Sequence, residues 1–125
     1  MNTGSEKLIV ALETIESGYE FLLAYAAQGR DDDSTSGGDH GVRNYLNDMN
    51  TALDTLQHTQ FPALDQAMQA VLAGDAKKAQ APLALVLKQS AISSQLVDNL
   101  NASIHLRALL TDLFLIDEAL KASKA

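Results

Sequence analysis

Cysteine is absent from this sequence of 125 residues. Without thiols the chain can form no disulfide bond, no thiolate nucleophile and no zinc site built from cysteine ligands. The absence also fits a reducing compartment, so we expect a cytoplasmic protein. The N-terminal stretch MNTGSEKLIVALET has no basic region ahead of its apolar residues, and it therefore predicts no signal peptide.

Basic residues are also scarce. Nine Lys and Arg stand against sixteen Asp and Glu, which gives a formal net charge of −7. The cations are scattered singly apart from Lys77 and Lys78. Nucleic acids are bound through clustered cations that neutralise phosphates, so we predict no nucleic-acid binding, and an anionic membrane surface is disfavoured for the same reason.

Long apolar runs are missing as well. Uninterrupted stretches such as Leu83–Leu87 and Leu113–Ile116 are far shorter than the roughly 20 residues of a membrane-spanning helix. Proline and glycine are few, and alternation of apolar and polar residues with a period of two does not persist. The pattern therefore indicates neither a membrane span nor a β-sheet.

What is present is a helical pattern. A hydrophobic content of 46% is enough for a packed core in a chain of this size. We predict a single domain over residues 1–125 with an all-α fold. It would be an antiparallel bundle of four or five helices with short connections and one longer Asp/Ser/Gly loop.

Apolar residues at i, i+3 and i+4 spacing give approximate limits for these helices. The predicted segments are Ser5–Gln28, Gly41–Gln57, a third that starts after Thr59 and stops at Gly74–Asp75, and a fourth that begins between Asp75 and Pro82. Weak helix formers in Val97–Ser103 predict a break before a last helix that reaches about Lys121. The apolar residues of that last helix are Ile104, Leu106, Leu109, Leu110, Leu113, Phe114, Ile116 and Leu120.

The longest polar stretch, GRDDDSTSGGDHGVR at residues 29–43, contains three consecutive aspartates. A calcium-binding EF-hand loop needs a bidentate Glu at its twelfth position, and no register that begins at one of these aspartates places a Glu there. A phosphate-binding loop would need a lysine that the stretch lacks. We therefore interpret residues 29–40 as a flexible interhelix loop and predict no metal site, with weak binding of a divalent ion as the alternative.

The histidines offer one catalytic hypothesis. None is preceded at the third position by Glu, as a ferritin-like di-iron site requires. His105, in NASIHLRALL, lies inside the predicted last helix. The chain resembles histidine phosphotransfer domains in fold type, size and acidity, and this resemblance implies phosphorylation of His105. It departs from them after the histidine, because Arg107, about 200° round the helix, stands where a lysine and a small residue are usual.

The first predicted helix has a second apolar face, made of Val10, Thr14, Gly18, Phe21 and Tyr25. A helix that is apolar over more than half of its circumference either contacts two neighbours in its own chain or is covered by a partner. Gly18 lowers helix propensity by about 1 kcal/mol, which a close contact between helices would explain.

Our first hypothesis is a non-enzymatic protein-binding module, such as an adaptor, a small chaperone or an accessory subunit. It would bind another protein or a second copy of itself, without a cofactor, and an acidic stripe would steer a basic partner. The residues assigned to this surface are Gly18, Phe21 and Tyr25, with Glu13, Glu16 and Glu20 as the acidic stripe. Phosphotransfer by His105 is the alternative, and a bundle that holds a small ligand or metal between its helices is the third hypothesis.

Overall fold

Apolar residues at helical spacing form five helices in the part of the chain that the computed structural model describes, residues 4–34 and 41–123. They are α1 (Gly4–Ala26), α2 (Val42–His58), α3 (Gln66–Leu87), α4 (Ser94–Asn101) and α5 (Ile104–Ser123). No strand occurs within these two ranges, and the predicted all-α helical bundle is confirmed. None of the five helices is long and apolar enough to cross a membrane.

The helices pack in the order α1, α2, α3 and α5, with the short α4 against α1. Consecutive pairs in that order contact each other extensively, whereas α1 and α5 barely touch. The core is almost entirely aliphatic, and its fully buried members include Leu8, Ile15, Leu22, Leu46, Leu53, Leu72, Leu83, Val97, Leu106 and Leu113. Helix α5 has few contacts with α1 and α4, so it is held on the bundle mainly by α3.

Helix α3 runs through the residues that were expected to interrupt it. The predicted stop at Gly74–Asp75 and new start before Pro82 are wrong, because the helix is continuous from Gln66 to Leu87. Its buried residues continue at 4-3-4-3 spacing across both positions: Leu72, Ala76, Ala79, Leu83 and Val86. Burial of this stripe outweighs the loss of helix propensity, about 1 kcal/mol for a glycine and about 3 kcal/mol for a proline.

The last third of the chain has two breaks where one was predicted. Helix α4 ends at Asn101 and α5 begins at Ile104, within the expected break. The other break, at residues 88–93, was not predicted. It ends at Ser93, whose hydroxyl accepts a hydrogen bond from the backbone N–H of Leu96 at 3.0 Å and so caps α4.

Candidate functional site

The face of α1 that the sequence assigns to a partner is covered by the chain itself. Gly18 is buried against α2, and a Cβ atom at this position would lie 2.5 Å from both Cγ and Sδ of Met49. The glycine therefore permits a close contact between two helices of one chain. This is the intramolecular explanation that the sequence left open.

The aromatic residues of this face are also engaged. Tyr25 is 1% exposed, and its hydroxyl donates a hydrogen bond to the carbonyl oxygen of Ile92 at 2.6 Å. Phe21 is half-buried, and its ring stacks on Tyr45 of α2 with the ring centroids 4.0 Å apart. The structure thus contradicts the exposure on which a partner-binding role for Gly18 and Tyr25 depends, because α2 and the 88–93 connection already occupy that face.

The acidic stripe of α1 lies on a different side of the helix from these aromatic rings. Glu13 and Glu20 are exposed, while Glu16 is half-buried. Burial raises the pKa of Glu16, and the carboxylate of Asp117 on α5 adds to the effect. The stripe therefore borders α5 and does not surround the predicted binding face. Steering of a basic partner by these three residues stays a prediction.

The most connected polar group ties the α1–α2 connection to the 88–93 connection. Asp33 accepts hydrogen bonds from Nε of Arg43 at 2.6 Å and from the backbone N–H of Ile92 at 3.0 Å. Arg43 also donates to the carbonyl oxygens of Leu87 at 3.1 Å and Gln89 at 2.7 Å. Burial raises the pKa of Asp33, but the hydrogen bonds from Arg43 and Ile92 outweigh it and hold that pKa below its usual value. We call this group the Asp33–Arg43 clasp.

A second set of hydrogen bonds lies beside the clasp. The Ser94 hydroxyl donates to the carbonyl oxygen of Tyr25 at 2.7 Å and accepts from the backbone N–H of Arg30 at 2.8 Å. These contacts connect the chain near Arg30 and Asp33 to α4 and to the 88–93 connection. Flexibility of residues 29–40 stays a prediction. The rest of the predicted loop, residues 35–40, lies outside the described residues.

The clasp does not resemble a metal site, because a guanidinium group occupies its carboxylate. Within residues 4–34 and 41–123, no group of three or more His, Asp or Glu side chains could hold a metal ion. Two of the three histidines lie in the described ranges, and they are on different helices. His105 is exposed in the first turn of α5, His58 ends α2, and His40 lies outside the described ranges.

A shallow groove of about 500 Å³ lies between the N-terminal half of α1 and α2. It is lined by Lys7, Val10, Ala11, Thr14, Asp48, Thr51, Ala52, Thr55 and Thr59. The hydroxyls of Thr51 and Thr55 donate to carbonyl oxygens of their own helix, so they have no hydrogen left for a ligand. Binding of a small ligand between helices stays a prediction.

Helix α5 has an exposed apolar face that the sequence analysis missed. Ile104 is 73% exposed and Leu115 is 62% exposed. We define the α5 outer face as the exposed residues on this side of the helix: Ile104, Ala108, Thr111, Leu115, Ala119 and Ala122. Their 4-3-4-4-3 spacing was visible in the sequence, but it was masked by the stronger buried stripe on the opposite side of the same helix.

Opposite charges border the α5 outer face on one flank. Arg107 near the start of the helix and Glu118 near its end are both exposed and lie on the same side as Phe114, which is 46% exposed. Glu118 also lies 3.9 Å from the ammonium group of Lys121. The face is thus apolar at its centre, has small residues on one flank, and has charged side chains of both signs on the other.

The chain matches no protein-family model, and comparisons with curated proteins and with solved structures found no match either. No residue role can therefore be carried over from a relative.

Proposed function

We propose that this protein is a non-enzymatic, cytoplasmic protein-binding module that docks through the α5 outer face onto the same face of a second copy. The observation that carries the proposal is the exposure of two large aliphatic side chains, Ile104 and Leu115, on one side of the last helix. Contiguous exposed apolar surface commonly marks a site of interaction with another protein. An adaptor, a small chaperone or an accessory subunit would use such a surface.

Charge and shape favour a second copy as the occupant. In an antiparallel pair related by a two-fold axis near residue 113, Arg107 of each helix lies beside Glu118 of the other. The same arrangement places Ile104 of each helix beside Ala122 of the other, and Leu115 beside Thr111. Thr111 can be buried at little cost, because its hydroxyl already donates to the carbonyl oxygen of Arg107 at 2.9 Å.

The size of the face predicts a weak dimer. Helix α5 has 20 residues, so it is about 30 Å long, and with a width of about 10 Å it can bury roughly 300 Å² on each copy. Stable complexes bury about 800 Å² on each partner. We therefore expect association that depends on concentration, with a dissociation constant on the order of 100 μM.

Sedimentation equilibrium from about 10 μM to about 1 mM tests this expectation. The wild-type chain should dimerise toward the upper limit, and Leu115→Glu should remain monomeric throughout, because it places a charge at the centre of the face. Leu85→Glu is the matched control, since Leu85 on α3 is 61% exposed against 62% for Leu115. A wild-type chain that is monomeric throughout, or equal loss of dimer in both variants, would overturn the proposal.

A charge exchange tests the antiparallel orientation. Arg107→Glu and Glu118→Arg should each weaken the dimer, because each places like charges beside one another. The double variant should recover wild-type association. Failure of that recovery would exclude the proposed arrangement, and a photo-crosslink from position 115 to a different protein would show that the occupant is not a second copy.

Histidine phosphotransfer is the second candidate function, and the exposure of His105 favours it. A phosphoryl group on this imidazole would have free access to solvent and to a partner. Phosphorylation that is labile in acid, lost in His105→Gln and retained in His58→Gln, would support this function. Absence of such phosphorylation in the wild-type chain would contradict it.

A further inference from the structure

One pair of acidic side chains lies at the interface between α3 and α5. Asp75 belongs to α3 and Asp112 to α5, and both are half-buried. The Oδ2 atom of Asp112 is buried, and no hydrogen-bond donor from the described residues reaches it. The group that faces it is the carboxyl of Asp75. Two carboxyl groups can hydrogen-bond to each other only when one of them carries a proton.

Among the described residues, no cation contributes to the shift in the pKa of Asp112. Burial, followed by the hydrogen bond and the charge of Asp75, raises the pKa of Asp112 from its usual value of 3.8 to about 7. Lys77 and Lys78 follow Asp75 on α3, but both side chains are exposed, and neither lowers this pKa. The pair therefore holds a proton at pH values where an ordinary aspartate has lost it.

Helix α5 depends on this interface more than on any other. It contacts α3 extensively and α1 and α4 only slightly. None of the charged groups of those two helices, Glu16 and Asp98 included, contributes to the shift in the pKa of Asp112. We propose that a proton shared between Asp75 and Asp112 sets how firmly α5 is held on the bundle. Loss of the proton leaves two carboxylates facing each other, and α5 loosens.

The direction of the pH dependence follows from the two forms of the chain. When α5 is detached, Asp112 ionises near pH 4 as an ordinary carboxyl does. When α5 is docked, Asp112 keeps its proton up to about pH 7. The docked form is therefore favoured most at or below about pH 4, and it loses stability as the pH rises toward 7. Because this is a property of one chain, it does not depend on the proposed dimer.

Hydrogen exchange of the intact protein at low micromolar concentration tests the proposal. Protection factors, which are corrected for the intrinsic pH dependence of exchange, should fall for the amides of α5 between pH 5 and pH 8. The fall can reach about tenfold per pH unit at most, and we expect at least about tenfold in total because solvent screens part of the repulsion. The amides of α1 and α2 should change less than those of α5.

Asp112→Asn should remove this dependence, because an amide keeps the shape of the side chain without its charge. Asp75→Asn should only reduce it, because burial still raises the pKa of Asp112. Asp48→Asn, at an exposed position on α2, should keep it. Titration of the Asp112 carboxyl carbon by NMR provides a second measurement on the unmodified chain, with an expected midpoint near pH 7. A midpoint below pH 5, flat protection in the wild type, or an unchanged slope in Asp112→Asn would overturn the proposal.

Discussion

At the scale of single residues, Gly18 and Gly74 both lie inside helices, but only Gly18 has another helix against it. Gly18→Ala should destabilise the fold by about 1–3 kcal/mol, because its Cβ would overlap the buried side chain of Met49. Gly74→Ala should stabilise it by about 0.5–1 kcal/mol, because no atom lies within 4 Å of the new Cβ and alanine favours the helix. Urea denaturation measures both changes. If both variants raised the free energy of unfolding, the α1–α2 contact would be looser than the structure shows.

Asp33 allows a prediction about pH. Asp33→Asn weakens the hydrogen bonds to Arg43 and Ile92 and should lower the free energy of unfolding by about 1–3 kcal/mol at pH 7. Folding lowers the pKa of Asp33, so its contribution is present above about pH 4 and is lost as the pH falls through the lower, folded-state value. The free energies of unfolding of the wild type and Asp33→Asn should therefore become more similar below pH 4.

The neighbouring Asp31 supplies the control for that measurement. It is exposed, and Asp31→Asn should change the free energy of unfolding by no more than about 0.5 kcal/mol. Urea denaturation at pH 7 and at pH 3 compares the two variants. A loss for Asp31→Asn as large as that for Asp33→Asn would mean that the clasp adds nothing beyond the general effect of removing one negative charge.

At the scale of helices, the sequence predicts well that helices form, but it predicts less well where each helix begins and ends. The buried stripes of α1 and α2 repeat without interruption, and both helices form where they were expected. In α3 the same kind of stripe passes Gly74 and Pro82, and the helix continues despite the low helix propensity of both residues. The error has a physical origin, because the burial that overrides propensity depends on a neighbouring helix that the local sequence does not reveal.

Contacts between distant residues could not be predicted in this way. Asp33 and Ile92 are 59 positions apart, and nothing in either neighbourhood marks them as partners. Asp75 and Asp112 likewise face each other only because α3 and α5 pack side by side. For the same reason the sequence could not decide whether the second apolar face of α1 contacts a partner or a helix of its own chain, and the structure has α2 against Gly18.

At the scale of the whole molecule, what distinguishes the α5 outer face is its contrast with the remaining surface. The chain carries a net charge of −7, whereas this face is bordered by side chains of both signs, with Arg107 and Glu118 among them. Two copies that approach through other surfaces meet a surplus of like charges. Approach through α5 meets apolar side chains and complementary charges, so the charge of the chain as a whole disfavours other modes of self-association.

That contrast predicts how the proposed dimer responds to salt. At about 0.01 M salt the Debye length is about 30 Å, so the negative charges of both copies repel across the whole molecule. At about 0.15 M it is about 8 Å, and only charges at the interface still act. Apolar contacts are little affected over this range, and the Arg107–Glu118 contacts are few. The association constant should therefore rise at least about threefold as salt increases.

Sedimentation equilibrium in a sodium chloride series measures this dependence, and the direction of the change separates two explanations. Association driven by the acidic stripe of Glu13, Glu16 and Glu20 with a basic surface would weaken as salt is added, because screening removes its main attraction. Association through Ile104 and Leu115 does not depend on that attraction. It should strengthen as salt is added, because salt screens the repulsion between the two negatively charged copies. A wild-type dimer that weakens steadily with salt would therefore place the contact at the acidic stripe and not at the α5 outer face.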